Sequence, residues 1–183
     1  MLGKSDSLAD ILFSTFSTPL GWIGLAGTGQ TLLLVSIGHR SQAALKRAIA
    51  ERLRGPAGTP RLTLGDWHPD LRQRLERYCT GKVVDFSDVA IYVDDQTPFA
   101  RAVLEAVRGI PYSQTRTYGD IADQVGRPRA ARAVGRIMAA NRFPLVIPCH
   151  RVVAADGGLG GFSAPQGIRL KQRLLQMEAA GTR

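Results

Sequence analysis

The spacing of apolar residues changes several times along the chain, and each change marks an element. Two near-continuous apolar runs containing β-branched residues, "LGWIGLAG" (Leu20 to Gly27) and "TLLLVSIG" (Thr31 to Gly38), lie around the Gly-rich "GTGQ". That arrangement predicts a β-hairpin and a small sheet near the start of the chain. "QAALKRAIAERLR" then shows helical spacing, followed by a Gly/Pro loop from Gly55 to Pro60. A second amphipathic helix, "PDLRQRLERYC", sets Leu71, Leu75 and Tyr78 on one side and gives Cys79 a core position. "KVVDFSDVAIYV" reads as a further strand region.

The acidic, turn-prone "DDQTP" (Asp94 to Pro98) is the expected domain boundary, because Thr97 suits an N-cap and Pro98 a first helical residue for "FARAVLEAV". The fold class is α/β (α+β). Residues 1–93 form a small sheet-plus-helix domain and residues 97–183 a mostly helical one. In the second, "TYGDIADQVG" offers Thr117 as N-cap, Asp120 three residues on as a capping box, and Gly126 as a terminator. "RPRAARAVGRIMAAN" follows at once, with Pro128 expected in the first turn of the next helix. Helix, glycine turn, helix is the outline of a helix-turn-helix. Ala130, Ala133, Val134 and Ile137 share one face, and Arg129, Arg132 and Arg136 form a stripe beside it. Ala131 and Gly135, with the other small residues, keep the helix low enough to approach a duplex groove.

Charge sharpens this outline. Residues 1–95 carry eleven Lys/Arg against ten Asp/Glu, whereas residues 96–183 carry thirteen against five. Six arginines, Arg127, Arg129, Arg132, Arg136, Arg142 and Arg151, fall within 25 residues that contain no acid. A one-sign patch of this kind favours a polyanion such as nucleic acid; its bland counterpart is a solvated basic face. Asp6 and Asp10 interrupt the N-terminal stretch before any apolar run reaches signal-peptide length, and no stretch reaches membrane-span length. The expectation is a cytoplasmic protein without membrane contact.

The chemistry sits in "PLVIPCHRVVAADGGLGGFS", which places Cys149 and His150 side by side after a short apolar run. Metal binding is not expected: the chain has no paired Cys or His spacing, and Cys79, His39 and His68 are scattered. A buried, inert cysteine remains one reading. The other is a nucleophile, since Pro148 stiffens the approach while His150 and Arg151 can favour a thiolate. Adjacent side chains diverge, so His150 would reach the thiol through a water, and a third group would orient the imidazole. Glu178, on the apolar side of the last helix with Leu174 and Leu175, is one such acid; a solvated, frayed chain end is its bland counterpart.

"IPCHRVV" together with "TYGDIADQVGRPRAARAVGRIMAAN" resembles the O6-alkylguanine-DNA alkyltransferase family, the methylated-DNA–protein-cysteine methyltransferases. The likeness runs from about Thr97 to Glu178 and continues more loosely through "TPLGWIGLA" and "YCTGKVVDF". It implies that Cys149 takes the alkyl group of O6-alkylguanine in double-stranded DNA in a single, irreversible turnover, with O4-alkylthymine as a second substrate. His150 would be the base and Glu178 its orienting partner. Asn141 would hold the turn into a strand that leads to the active site. Tyr118 would crowd the rotating phosphate and donate to the departing guanine, and Arg132 would replace the flipped nucleotide, with Arg129, Arg136, Ala131 and Gly135 beside it on DNA. Pro148, Val152, Gly161, Phe162 and Ser163 would wall the pocket, with backbone groups of Cys149, Val152 and Ser163 reading the guanine edge. No cofactor is implied, and a monomer is expected, with cooperativity on DNA left open.

Three departures stand out: the N-terminal zinc ligands of some members are missing, Phe162 replaces a tyrosine, and "QTPFARAV" replaces the usual glycine-threonine-proline start. Two other readings remain: a lesion sensor that transfers nothing, and a helix-turn-helix regulator.

Overall fold

The computed structural model describes residues 11–56, 58 and 60–181; Asp6, Asp10 and part of the Gly55–Pro60 loop lie outside the described residues. A four-stranded sheet opens the chain: β1 (Ile11–Thr18), β2 (Gly21–Thr28), β3 (Thr31–His39) and β4 (Leu62–Leu64), in spatial order β3-β2-β1-β4. The first three strands are antiparallel neighbours, and β4 runs parallel to β1. The expected hairpin is β2–β3, turning at Gly29 with φ +55°. β1 is a strand that the apolar pattern does not mark: Phe13 and Phe16 are its buried anchors, and the serines and threonines between them blur the alternation.

The two faces of the sheet are filled differently. Helix α1 (Gln42–Arg52), capped by Ser41, lays Leu45 and Ile49 over Phe13, Ala26 and Leu34. Small residues on β2 permit that approach; a Cβ on Gly24 would lie 2.6 Å from Ile49. The opposite face presents Ile23, Leu25 and Val35 to the main core, which also takes Leu71, Leu75 and Tyr78 of α2 (Pro69–Tyr78), Val103 and Val107 of α3 (Pro98–Arg108), and Ile121 and Val134 further on. The core therefore passes without a break from residues before Asp94 to residues after Pro98. Cys79 is buried at the α2 C-cap, as its helical position predicts.

Residues 82–93 form no strand, contrary to the sequence reading. Their backbone bonds to β3 only around Leu32, which donates to Ala90 and accepts from Tyr92 at 2.8 and 2.9 Å. Elsewhere their carbonyls are taken by side chains: Arg108 donates to Phe86 and Val89, and Arg74 to Asp85. An Asx turn at Asp85–Ser87 bends the segment further from extended geometry.

Past Thr97, whose hydroxyl accepts from Ala100 as an N-cap, the helices follow the predicted order. The Thr117–Asp120 capping box starts α4 (Tyr118–Gln124), and Gly126, at φ +71°, ends it. Helix α5 is Ala131–Ala139, so Pro128 and Arg129 lie outside it. A turn closed by Ala130 donating to Arg127 at 2.8 Å occupies the residues expected to be its first turn. On α5, Val134 and Met138 are buried, with Ile137 and the preceding Ala130 partly so. The chain then turns into a 3-10 turn, Cys149–Arg151, followed by β6 (Val152–Val153), which pairs in parallel with β5 (Arg116–Thr117). That pairing sets the start of α4 beside the cysteine. Helix α6 (Ile168–Gly181) closes the molecule with Leu170, Lys171, Leu174 and Glu178 on its buried face.

Gly27 is the tightest point of the hairpin, because a Cβ there would lie 2.2 Å from the Trp67 ring and 2.4 Å from the Thr31 carbonyl. The ring is held by Trp67 Nε1 donating to Gly29, and the carbonyl belongs to the paired strand, so neither can yield. Gly27→Ala is predicted to lower stability by about 1–3 kcal/mol, read as a lower urea midpoint with an unchanged slope.

Candidate active site

The turn that delivers Cys149 is set by Asn141. Its Oδ1 accepts from Phe143 N–H at 2.9 Å and its Nδ2 donates to the Ile147 carbonyl at 3.0 Å. Those bonds fold residues 141–148 into a tight turn, with Leu145 at φ +75°, in place of the strand expected there. Cys149 is 5 % exposed and His150 fully buried. Burial pushes the thiol up; opposing it are a hydrogen bond from the Asn141 side chain, the charge of Lys171 and the N–H groups of Cys149 and His150. A thiol raised in this way is protonated at neutral pH and needs a base, while the same four groups wait to receive the thiolate.

The adjoining His150 has the form that a base requires. His150 Nε2 lies 3.0 Å from Glu178 Oε1, and its Nδ1 is buried with no protein partner. Burial depresses the imidazole despite the Glu178 charge, so the ring is neutral. Glu178, fully buried rather than frayed, also accepts from Arg151 at 2.8 Å, Tyr78 at 2.5 Å and Ser113 N–H at 3.0 Å. Burial alone would raise the carboxyl, but His150, Arg151 and Tyr78 together hold it at about 2. Glu178 is therefore an anion, and with no proton of its own it must accept the one on Nε2. That leaves a lone pair on Nδ1.

Arg151 is thus not part of a phosphate-facing patch, as its charge alone suggests. It is buried, bonded to Glu178 and, through its NH1, to the Ile110 carbonyl at 2.6 Å. Arg142 is likewise paired, with Asp95 at 2.8 Å. Arg127, Arg129, Arg132 and Arg136 remain exposed around the start of α5 and along it. Ala130 supplies no side-chain cap to that helix, which leaves its first N–H groups available to an anion. Ala131 and Gly135 are half-buried, and a Cβ on Gly135 would meet only the Tyr118 ring, at 3.9 Å.

Tyr118 stands between this helix and the cysteine. Its hydroxyl would lie 2.8 Å from a Cβ on Gly160, which also has φ +65°, so only glycine fits there. Burial and the nearby Cys149 raise the Tyr118 phenol, keeping it a proton donor. A cavity of about 210 Å³ opens on Cys149; Asn141, Phe162 and Ser163 line it, whereas Pro148 and Arg151 face a separate cleft. Val152 is buried and does not line that cavity; its N–H is given to Cys149 and its carbonyl accepts from Lys171 Nζ at 2.6 Å. Gly161 is exposed at the end of the same loop.

Sequence reasoning misses four contributors. Tyr78 and Lys171 look like ordinary helical positions. Arg52, which donates to the Asn141 carbonyl at 3.1 Å, and His39, bonded to Ser36 at 2.8 Å, both line the cavity from the N-terminal half. The only trace of His39 in the sequence is a polar residue closing an apolar run; Tyr78, Lys171 and Arg52 leave none. Among the described residues, no group of three or more His, Cys, Asp or Glu could hold a metal ion, and no helix is long and apolar enough to cross a membrane.

Residues 98–180 match the family profile described as "6-O-methylguanine DNA methyltransferase, DNA binding domain". The methylated-DNA–protein-cysteine methyltransferase of Mycobacterium tuberculosis H37Rv is 34 % identical over 174 residues, with 92 % of each chain covered. That of Methanopyrus kandleri is 48 % identical over 110 residues, covering 60 % of this chain and 79 % of the relative. The crystal structure of M. tuberculosis OGT in complex with DNA superposes with a TM-score of 0.76 at 32 % identity, covering 93 % of this chain and 94 % of that one. The O6-methylguanine-DNA methyltransferase of Pyrococcus kodakaraensis KOD1 gives 0.71 at 29 % identity, with 91 % and 98 % covered.

Glu178 also fixes a stability profile. Its lowered carboxyl contributes stability that is complete above its ordinary value of 4.5 and is lost as pH falls toward about 2. Glu178→Gln strands Arg151 and is predicted to cost about 3–5 kcal/mol at pH 7. Urea titrations at several pH values should show that gap closing between about pH 4.5 and 2; a gap independent of pH contradicts the assignment.

Proposed function

The chain belongs to the methylated-DNA–protein-cysteine methyltransferase family, and from that premise we propose that it repairs O6-alkylguanine in duplex DNA by moving the alkyl group to Cys149 Sγ. One observation carries the proposal: a buried thiol beside a neutral, fully buried His150 whose Nε2 is committed to Glu178 at 3.0 Å and whose Nδ1 is free.

The target atom lies within a base stack that no buried thiol can enter, so the nucleotide must be extruded, at a cost of a few kcal/mol. The exposed Arg127, Arg129 and Arg136 would offset part of this through phosphate contacts. Arg132 would fill the vacated stack, since a guanidinium is planar and still donates hydrogen bonds. With the base beside Cys149, the thiol proton passes through a water to His150 Nδ1. Sγ attacks the alkyl carbon, the S–C bond forms, and the C–O6 bond breaks with its electron pair going to guanine. Tyr118, protonated and near Cys149, gives its proton to the departing base and regains one from the imidazolium, so that the proton lost by the thiol is the one gained, in net terms, by guanine. The product is a thioether with no carbonyl for water to attack, so each molecule acts once. O4-alkylthymine presents the same bond to the same thiolate and is the second substrate. Residues 1–93 brace the fold and residues 97–183 bind DNA, as a monomer in the cytoplasm, without a cofactor.

Incubation with an oligonucleotide duplex carrying O6-methylguanine is predicted to add one methylene to the intact mass, on Cys149, and nothing to Cys149→Ser. Tight lesion binding without mass gain would make the protein a sensor, and sequence-specific binding to undamaged DNA a regulator. Arg132→Ala is predicted to slow repair of duplex DNA by about tenfold or more, one lost stacking contact, while barely changing reaction with the free modified base; equal losses would remove the intercalating role.

A further inference from the structure

Resting on that reading, we propose that Tyr78, carried on α2 far from the cysteine in sequence, is a positioning residue for alkyl transfer. Its hydroxyl donates a hydrogen bond to Glu178 and so draws charge from that carboxylate, which keeps His150 from becoming an imidazolium and leaves Nδ1 as the base, while a lone pair on Oη meets the proton that Glu178 holds on Nε2.

The geometry admits one assignment of protons. Tyr78 Oη lies 2.5 Å from Glu178 Oε1 and 3.1 Å from His150 Nε2, and all three side chains are fully buried. Glu178 is ionised and has no proton to give, so the bond between it and Tyr78 is made with the tyrosine proton. Burial and the adjacent carboxylate raise the phenol far above its usual range, so that proton stays in place. The only remaining feature of Oη that can meet His150 is a lone pair. Nε2 consequently faces two acceptors, Oη and Oε1, and would meet repulsion from both if it lost its proton.

The hydroxyl is aimed by its surroundings. The Tyr78 ring packs edge-on against Phe86, Tyr112 and His150, at centroid separations of 6.0, 6.1 and 6.4 Å. A phenol locked in this way holds its oxygen over Nε2 without having to be ordered when substrate arrives. It also draws charge from Glu178 and so limits how far that carboxylate can favour the imidazolium. The other ionisable groups facing this cluster are Arg151 and Lys171, whose charges disfavour the imidazolium, together with Cys149 and Tyr112.

The test is the pH dependence of the single-turnover rate of methyl transfer from an O6-methylguanine duplex, followed by intact mass. Tyr78→Phe keeps the ring and removes the hydroxyl. Its acid limb is expected to move up by about one pH unit, the scale of one hydrogen bond to a charged partner, with the rate at high pH recovering to near wild type. Site-specific 3-fluorotyrosine at position 78 keeps the hydroxyl but makes it a stronger donor, and is expected to move the limb below wild type. It also supplies the test if Tyr78→Phe does not fold. Tyr112→Phe, which removes a hydroxyl bonded to the Gly81 carbonyl at 3.0 Å, should leave the limb in place. A uniform loss at every pH in Tyr78→Phe, or a limb unmoved by fluorotyrosine, overturns the proposal. Failure of the wild-type protein to gain mass would instead overturn the underlying alkyl-transfer reading.

Discussion

Glu178 accepts hydrogen bonds from four residues at three separate places in the chain: Tyr78 on α2, Ser113 before β5, and the adjacent His150 and Arg151 of the cysteine turn. A fully buried carboxylate is tolerated only if its charge is balanced and its lone pairs are filled, and here both conditions are met. The arrangement binds α6 to the cysteine turn and to α2, so a single carboxylate sets both the geometry of the site and its protonation. Ser113 shows what this demands of the backbone: it adopts φ +62°, rare for a residue with a side chain, and from there its N–H reaches Oε2 at 3.0 Å.

The electrostatics around Cys149 follow from that constraint. A thiol raised by burial is poor as a standing thiolate and good as a protected one, which in the proposed reaction is made only when His150 takes its proton. A neutral imidazole is maintained chiefly by burial, with the charges of Arg151 and Lys171 adding to it against the pull of Glu178. Lys171 also acts on the pocket wall. Its ammonium, lowered to about 8 by burial, holds the carbonyls of Val152 and Leu159 and lies 5.9 Å from the Tyr118 ring. The loop that leads to the cavity wall and the tyrosine near Cys149 are thereby tied to α6.

How much of this is legible in the sequence depends on how local the controlling interaction is. The capping box at Thr117–Asp120, the Thr97 cap and the β2–β3 hairpin each rest on residues a few positions apart, and each stands in the fold as predicted. The Cys149–His150 pair and the odd position of Glu178 are visible because a carboxylate on an apolar helix face is costly. Residues 82–93 mislead because their apolar content resembles a strand, while their carbonyls are claimed by Arg74 and Arg108 from other helices. Arg151 misleads for the same reason: its partner lies 27 residues away, and nothing in its neighbourhood shows that its charge is spent. Tyr78 is readable as a core residue of α2, but its hydroxyl acquires meaning only 72 and 100 residues further along, at His150 and Glu178.

The proposed transfer turns on Glu178 holding a neutral His150 with its proton on Nε2, so that Nδ1 is left to serve the thiol. Nitrogen-15 NMR of the His150 ring in the unreacted protein at neutral pH measures this directly. A protonated, pyrrole-like Nε2 and an unprotonated, pyridine-like Nδ1 are expected. A proton on Nδ1, alone or in an imidazolium, would contradict that assignment.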